Sequence, residues 1–222
     1  MELYFTELFK IKQSCIIDLR SMRNNLINLE KYLQDNVLPD LEFGRPGFDK
    51  EHTLATVYYL KQILNANPQL DLDHNIMLIA AYCHDWGYGG LFNHDKKTSD
   101  YSEVIKAKAK HMIVGAEKLQ KLLSDSFFSF LSTDQKQRCV HLVAVHDKLD
   151  KLKEIDELIL MEADTLGALD VNLVKPTYDK VSNSKYIDGV RKKRIPKFIT
   201  DYSKIIVNKL IQMRINYYLS KS

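Results

Sequence analysis

Residues 76–85 read Ile-Met-Leu-Ile-Ala-Ala-Tyr-Cys-His-Asp. The unbroken apolar run follows Asp73, a candidate N-cap, and precedes Gly87, Gly89 and Gly90. That order predicts a short buried helix that stops near Gly87 and gives way to a loop. The run ends on two polar residues, His84 and Asp85. Neighbouring helical residues point ~100° apart, yet at a helix end both can approach one point from two sides. A carboxylate has two oxygens, so Asp85 can reach two partners where His84 reaches one.

Outward from this stretch the apolar spacing stays helical. From Leu3 to Leu33 apolar residues recur every three or four positions, until Pro39 and Gly44-Arg45-Pro46-Gly47 break the pattern. Asp49 reads as the N-cap of a second helix, Lys50 to about Ala66, closed by Asn67-Pro68. Ser99 or Ser102 opens a helix through Ile105, His111 and Leu119. Phe127, Phe128, Phe130 and Leu131 read as an apolar plug for the core. Thr133 starts a helix through Val140, Val143 and Val145, and Glu154–Leu169 forms another. Residues 172–189, with Pro176 and Asn183, read as irregular. A last helix is expected from about Pro196 to Leu219. Few stretches alternate with period two, so the expected class is all-α, a single-domain bundle of about seven helices over residues 1–222. The loop from Gly87 to Asp100 is the expected site-lining loop.

Composition narrows the function. With 222 residues, 45% of them hydrophobic, the chain can bury a core of its own. Its 32 basic and 29 acidic side chains leave a net charge of +3, which argues against a protein that coats nucleic acid. No apolar run approaches the ~20 residues of a membrane helix, and the start of the chain lacks a basic-then-apolar signal pattern. Three cysteines, Cys15, Cys83 and Cys139, are far apart and form no CxxC pair. They indicate neither a disulfide framework nor a thiolate zinc site, and fit the cytoplasm.

The seven histidines are the distinctive feature. His52 falls near the start of the second helix, His84-Asp85 at the end of the third, His111 in the fourth, His141 and His146 in the fifth, and Asp164 in the sixth. Imidazoles and carboxylates that converge from several helices make a nitrogen- and oxygen-rich metal cage. His141 and His146 are five apart, ~140° around a helix, so one of them faces the cage, and His146 is preferred by its context. His74 beside the cap and His94 in the glycine-flanked loop read as solvated.

This ordered set resembles the HD-domain superfamily of metal-dependent phosphohydrolases. The pattern of a His, a His-Asp pair and a distant Asp reads here as His52, His84-Asp85 and Asp164. His111, followed by Gly115-Ala116-Glu117, and His146, in Val143-Ala144-Val145-His146-Asp147, resemble the two further histidines of the two-metal subset. Ala163-Asp164 resembles its final Ala-Asp. The resemblance covers residues 48–169 as a metal-binding core flanked by N- and C-terminal helices. Arg three residues after the first His is common in the family, but Ala55 stands there, and the Gly-Tyr-Pro signature of the cyclic-dinucleotide branch is absent.

The resemblance implies one or two divalent ions held by His52, His84, Asp85, His111, His146 and Asp164, with Asp85 as the bridge. Such a donor set suits Mn, Fe, Co, Ni or Zn, with Mg as a further possibility. Asp85 and Lys148 are the catalytic candidates. Arg45, Lys148 and Lys151 are the candidates for substrate phosphate, each with a solvated face as the plainer reading. The basic run Arg191-Lys192-Lys193-Arg194 reads as a solvated helix approach, and Trp86 and Tyr88 as core residues or base-stacking rings. The implied reaction is hydrolysis of a phosphate ester or anhydride in a small phosphorylated substrate, a nucleotide by resemblance alone. Two alternatives share these ligands: a mixed-valent di-iron oxygenase, and a regulatory module that binds metal without chemistry. Neither a membrane nor nucleic acid is an expected partner, and the oligomeric state is left open.

Overall fold

The computed structural model describes residues 26–92 and 101–220. The first part of the expected N-terminal helix, Cys15, His94 and Ser99 lie outside the described residues. Within them the protein is all-helical, with no strand and eight α-helices. Residues 26–41 form α1, followed by α2 (Asp49–Ala66), α3 (His74–Cys83), α4 (Tyr101–Leu122), α5 (Thr133–Val145), α6 (Ile155–Leu169), α7 (Lys180–Gly189) and α8 (Asp201–Leu219).

Local chemistry sets the helix ends. The Asp73 carboxylate accepts from the backbone N–H groups of Asn75 and Ile76 at 2.9 and 3.2 Å, so it caps α3. Ser132 and Gln135 close a reciprocal capping box at the start of α5, one residue ahead of the expected Thr133. Glu154 and Glu157 form the equivalent box for α6.

Four boundaries differ from expectation. Pro39 does not end α1, because in the last turn it forfeits little more than its own N–H bond while Leu38 and Leu41 stay buried. Asp49 is not the cap of α2. Phe48 holds that position, and the Asp49 carboxylate turns back to bind Arg45. Residues 180–189, expected to be irregular, form α7 with Asp179 as its cap. Its buried face is Ser182, Asn183 and Ile187, which presents no apolar stripe to read. The last helix begins at Asp201 with Thr200 as N-cap; Pro196 lies instead in a 3₁₀ turn, Ile195–Lys197, that follows a π-helical turn over Val190–Arg194.

The core runs the length of the molecule, from Leu29, Leu33 and Val37 of α1 through Ile76–Cys83 of α3 to Leu210 and Ile211 of α8. Phe128 is fully buried and Phe127 stacks on Tyr32, but Phe130 is 51% exposed, so the expected plug is narrower than its sequence. The central pair is α2 against α6. Gly167 makes it possible, since a Cβ there would stand 2.8 Å from the Thr56 backbone nitrogen. This approach sets His52 of α2 beside Asp164 of α6.

Candidate metal centre

Two helices end on one buried point. α3 ends on His84, whose Nδ1 hydrogen-bonds the Ala81 carbonyl at 2.9 Å. α5 ends on His146, whose Nδ1 hydrogen-bonds the Val143 carbonyl at 2.8 Å. Each ring thereby satisfies a carbonyl that the helix end would leave without a partner. The proton on Nδ1 leaves Nε2 with its lone pair facing inward.

His52 of α2 and His111 of α4 complete two pairs. His52 Nε2 lies 3.2 Å from His84 Nε2, and His111 Nε2 lies 3.1 Å from His146 Nε2. Asp85 stands between the pairs. Its Oδ2 is 3.4 Å from His52 Nε2 and 3.6 Å from His84 Nε2. Its Oδ1 is 3.3 Å from His111 Nε2 and 3.5 Å from His146 Nε2. Asp164 Oδ1 joins the first pair, 3.0 Å from His52 Nε2. All six side chains are buried.

Two donor groups result, His52–His84–Asp164 and Asp85–His111–His146. Bonds of ~2.0–2.2 Å to a common ion place neighbouring donor atoms roughly 3.0–3.5 Å apart. Most separations here fall in or close to that range, so the residues present fit a divalent ion in each group.

Charge around the cluster supports the same fit. Burial pushes the His84 imidazole down to about 4, so it is neutral, as a ligand must be. Burial would raise the carboxyl of Asp85, but His84, His111, His146 and Arg45 together hold it well below the usual range. For Asp164 burial is likewise outweighed, by Arg194, His52 and His84. His146 departs from this pattern: burial opposes its charge, but hydrogen bonding to Asp85 and the charge of Asp147 raise it.

Cations pin the carboxylates from behind. Arg45 donates to Asp85 Oδ2 at 2.9 Å while Asp49 holds its Nε at 2.6 Å. Arg194 donates to Asp164 Oδ2 at 2.7 Å, which leaves Oδ1 to the histidines, and to Asp147 Oδ1 at 2.8 Å. Lys108 takes the other oxygen of Asp147 at 2.8 Å. His52 and His111 are placed differently from their partners: their Nδ1 atoms are buried without a hydrogen bond among the described residues. Stacking holds these rings instead, Phe48 against His52 at 5.2 Å and Tyr88 against His111 at 4.0 Å. The Arg45 guanidinium sits between those two aromatic rings, 4.3 and 4.4 Å from their centroids.

The structure therefore brings together the six expected ligand residues and Arg45. It does not bring Lys148 or Lys151 with them. The chain turns after His146, with Lys148 N–H donating to Val145 O, and it is Asp147 whose side chain enters the site. Lys151 is exposed, and neither lysine lines the adjoining cavity. Lys108 and Lys193 line it instead. His141 is turned away, with its side chain 48% exposed and bonded to Glu157 at 2.9 Å. His74 is exposed, as expected. Trp86 packs into the core with its Nε1 on Asp40, whereas Tyr88 reaches the site. Of the basic run at 191–194, three members are exposed and Arg194 is buried. Asp147 and Lys108 carried a usable signal, one beside His146 and the other one turn before His111. Arg194 carried none that separates it from its three neighbours.

Fold and site define a class: an all-helical protein whose buried histidines and aspartates are compatible with divalent metal ions. A family model described as HD domain matches residues 50–169. That span is more than half of the chain, and the protein belongs to the HD-domain superfamily of metal-dependent phosphohydrolases. Comparison with curated proteins and with solved structures gave no match.

Proposed function

We propose that the protein is a phosphohydrolase that uses two divalent ions to cleave a phosphate ester or anhydride, with the phosphate end of a nucleotide as the leading substrate. The observation that carries this reading is Asp85, whose two oxygens each face one histidine pair. His52, His84 and Asp164 would hold one ion, His111 and His146 the other, and Asp85 would bridge them. Ions bound there supply a water of lowered pKa and positive charge for the phosphoryl oxygens.

The chain's own residues do the rest. Arg194 fixes Asp164, and Arg45 fixes Asp85, each by a charge-assisted bond to the carboxylate. Tyr88 and Phe48 hold two of the histidine rings and wall the cavity on that side. Lys108 and Lys193 line the cavity and offer the positive charge that the sequence assigned to Lys148 and Lys151. The cavity holds about 220 Å³, less than the ~300–1,000 Å³ of pockets that enclose a drug-sized ligand. It suits a phosphoryl group and its near neighbours, with the remainder of a larger substrate at the mouth.

An oxygenase would use the same ligands, but Lys193 and Arg214 line the cavity without an ion pair among the described residues, which favours an anionic substrate. A complete set of ligands favours chemistry over a silent module. Buried free thiols at Cys83 and Cys139 suit a reducing cytoplasm. No helix among the described residues is long and apolar enough to cross a membrane. Metal-loaded protein should release phosphate from a panel of nucleotides and aryl phosphates, and His84→Ala should abolish release. Oxygen uptake with no phosphate released would overturn the reading.

A further inference from the structure

The acidic and basic side chains of the site are nearly all paired. Asp49 and Asp85 share Arg45, and Asp147 and Asp164 share Arg194, with Lys108 added at Asp147. Arg214 of α8 is different. It is 1% exposed, yet its guanidinium meets only neutral acceptors among the described residues: Asn183 Oδ1 at 2.6 Å through Nε, and Ala168 O at 2.6 Å through a terminal nitrogen. A guanidinium has five N–H donors, so most of its donors remain, and Arg214 lines the cavity. A buried charge without a counter-ion is costly. The ring of Tyr186, 4.9 Å away, offsets only part of that cost.

Tyr186 also lines the cavity, and its buried hydroxyl has no hydrogen-bond partner among the described residues. A fully buried cation and an unpartnered donor therefore border the same space, and Arg214 has no ion pair among the described residues, whereas Asp85, Asp147 and Asp164, which also line the cavity, are already held by Arg45, Lys108 and Arg194. Their position is fixed by α6. Ala168 lies one turn beyond Asp164, about 6 Å along the helix axis. Arg214 and Tyr186 lie outside the 50–169 span of the family match, so they belong to this chain's own C-terminal addition to the site.

We propose that Arg214 and Tyr186 form a second anion subsite, so that the substrate is a small molecule with a second phosphate or carboxylate besides the phosphoryl group presented to the histidines and aspartates. The subsite rests on the phosphohydrolase reading for its first anion. Arg194 and Arg45 are committed to carboxylates, which leaves Arg214 as the buried cation of the cavity that a ligand can neutralise. A compound with one anionic group satisfies only the first site and leaves Arg214 unpaired. A compound with two satisfies both, and discrimination follows from the unpaired charge in the other case.

Calorimetric binding of non-hydrolysable phosphonates to metal-loaded protein tests this without turnover. The probes are methylphosphonate, with one anionic group, and propane-1,3-bisphosphonate and 3-phosphonopropanoate, with two. Wild-type protein should bind the two-anion probes about tenfold or more tightly than methylphosphonate, as a charge-assisted hydrogen bond warrants. The better of the two identifies the second group as phosphate or carboxylate. Arg214→Gln should remove the preference and leave methylphosphonate binding within about twofold. If Arg214→Gln does not fold, Tyr186→Phe decides: it removes only the unpartnered hydroxyl and should weaken the two-anion probes alone. Equal binding of all three probes by wild type, or uniform weakening by the variants, overturns the proposal and marks Arg214 as a structural tie between α6, α7 and α8. Failure of the hydrolase reading would appear separately, as absence of phosphate release with the preference intact.

Discussion

Gly87 is the point where the turn after the His-Asp pair meets α4. A Cβ placed there would stand 1.9 Å from the His111 carbonyl oxygen and 2.6 Å from the Gly115 backbone nitrogen. Both are backbone atoms, which no rotamer change can move. Ordinary contact begins near 3.4 Å, so Gly87→Ala must push the turn and α4 apart by about 1.5 Å. Asp85 is two residues before Gly87, and its Oδ1 faces His111 Nε2 at 3.3 Å. Metal ligands tolerate only ~0.2 Å of displacement. The substitution should therefore cost the ion at Asp85–His111–His146 first and leave His52–His84–Asp164 the better site. Overpacking of this kind costs about 1–3 kcal/mol, or a fall in Tm of roughly 2–12 °C for a chain of this size. Elemental analysis and differential scanning calorimetry of the same preparation read both effects. Gly90→Ala is the control, since a Cβ there meets nothing within 4 Å and its positive φ of 87° brings only backbone strain. An unchanged Tm with metal content equal to wild type in Gly87→Ala would refute the reasoning.

Two further outcomes follow from buried partners. Arg194→Gln frees Asp164 Oδ2 and Asp147 Oδ1 at once, and should weaken metal affinity by about 10–100-fold in a competition titration with a chelator. Glu162 is buried and accepts from the backbone of Ile199 and Thr200 and from the Thr200 hydroxyl, which ties α6 to the start of α8. Glu162→Ala leaves those donors without a partner and should cost about 3 kcal/mol in urea unfolding, with metal stoichiometry unchanged.

Much of the site could be read from the chain because its residues break the pattern around them. His84 and Asp85 end an apolar run, and Asp164 lies inside one, so each is a polar group that burial makes expensive. Helix existence follows from spacing, and Asp73, Thr133 and Glu154 mark the starts of α3, α5 and α6 to within a residue, although α3 ends at Cys83, ahead of the expected stop near Gly87. What escaped was what spacing does not encode. α7 buries serine and asparagine, so no apolar stripe marks it. Arg194 is one of four consecutive basic residues, and the π-helical turn that selects it is a tertiary outcome. Lys148 follows His146 closely in sequence, but the turn after His146 delivers Asp147 inward instead. Arg214 lies in a helix with ordinary core residues around it, and only the cavity on its far side distinguishes it.

The central claim is that six side chains form two metal sites joined by Asp85. Elemental analysis of protein purified without chelators, counted per chain, tests it most directly. About two ions per wild-type chain, with loss from both sites in Asp85→Ala, is the expected result. No more than one ion per chain, or metal content unchanged by Asp85→Ala, would contradict it.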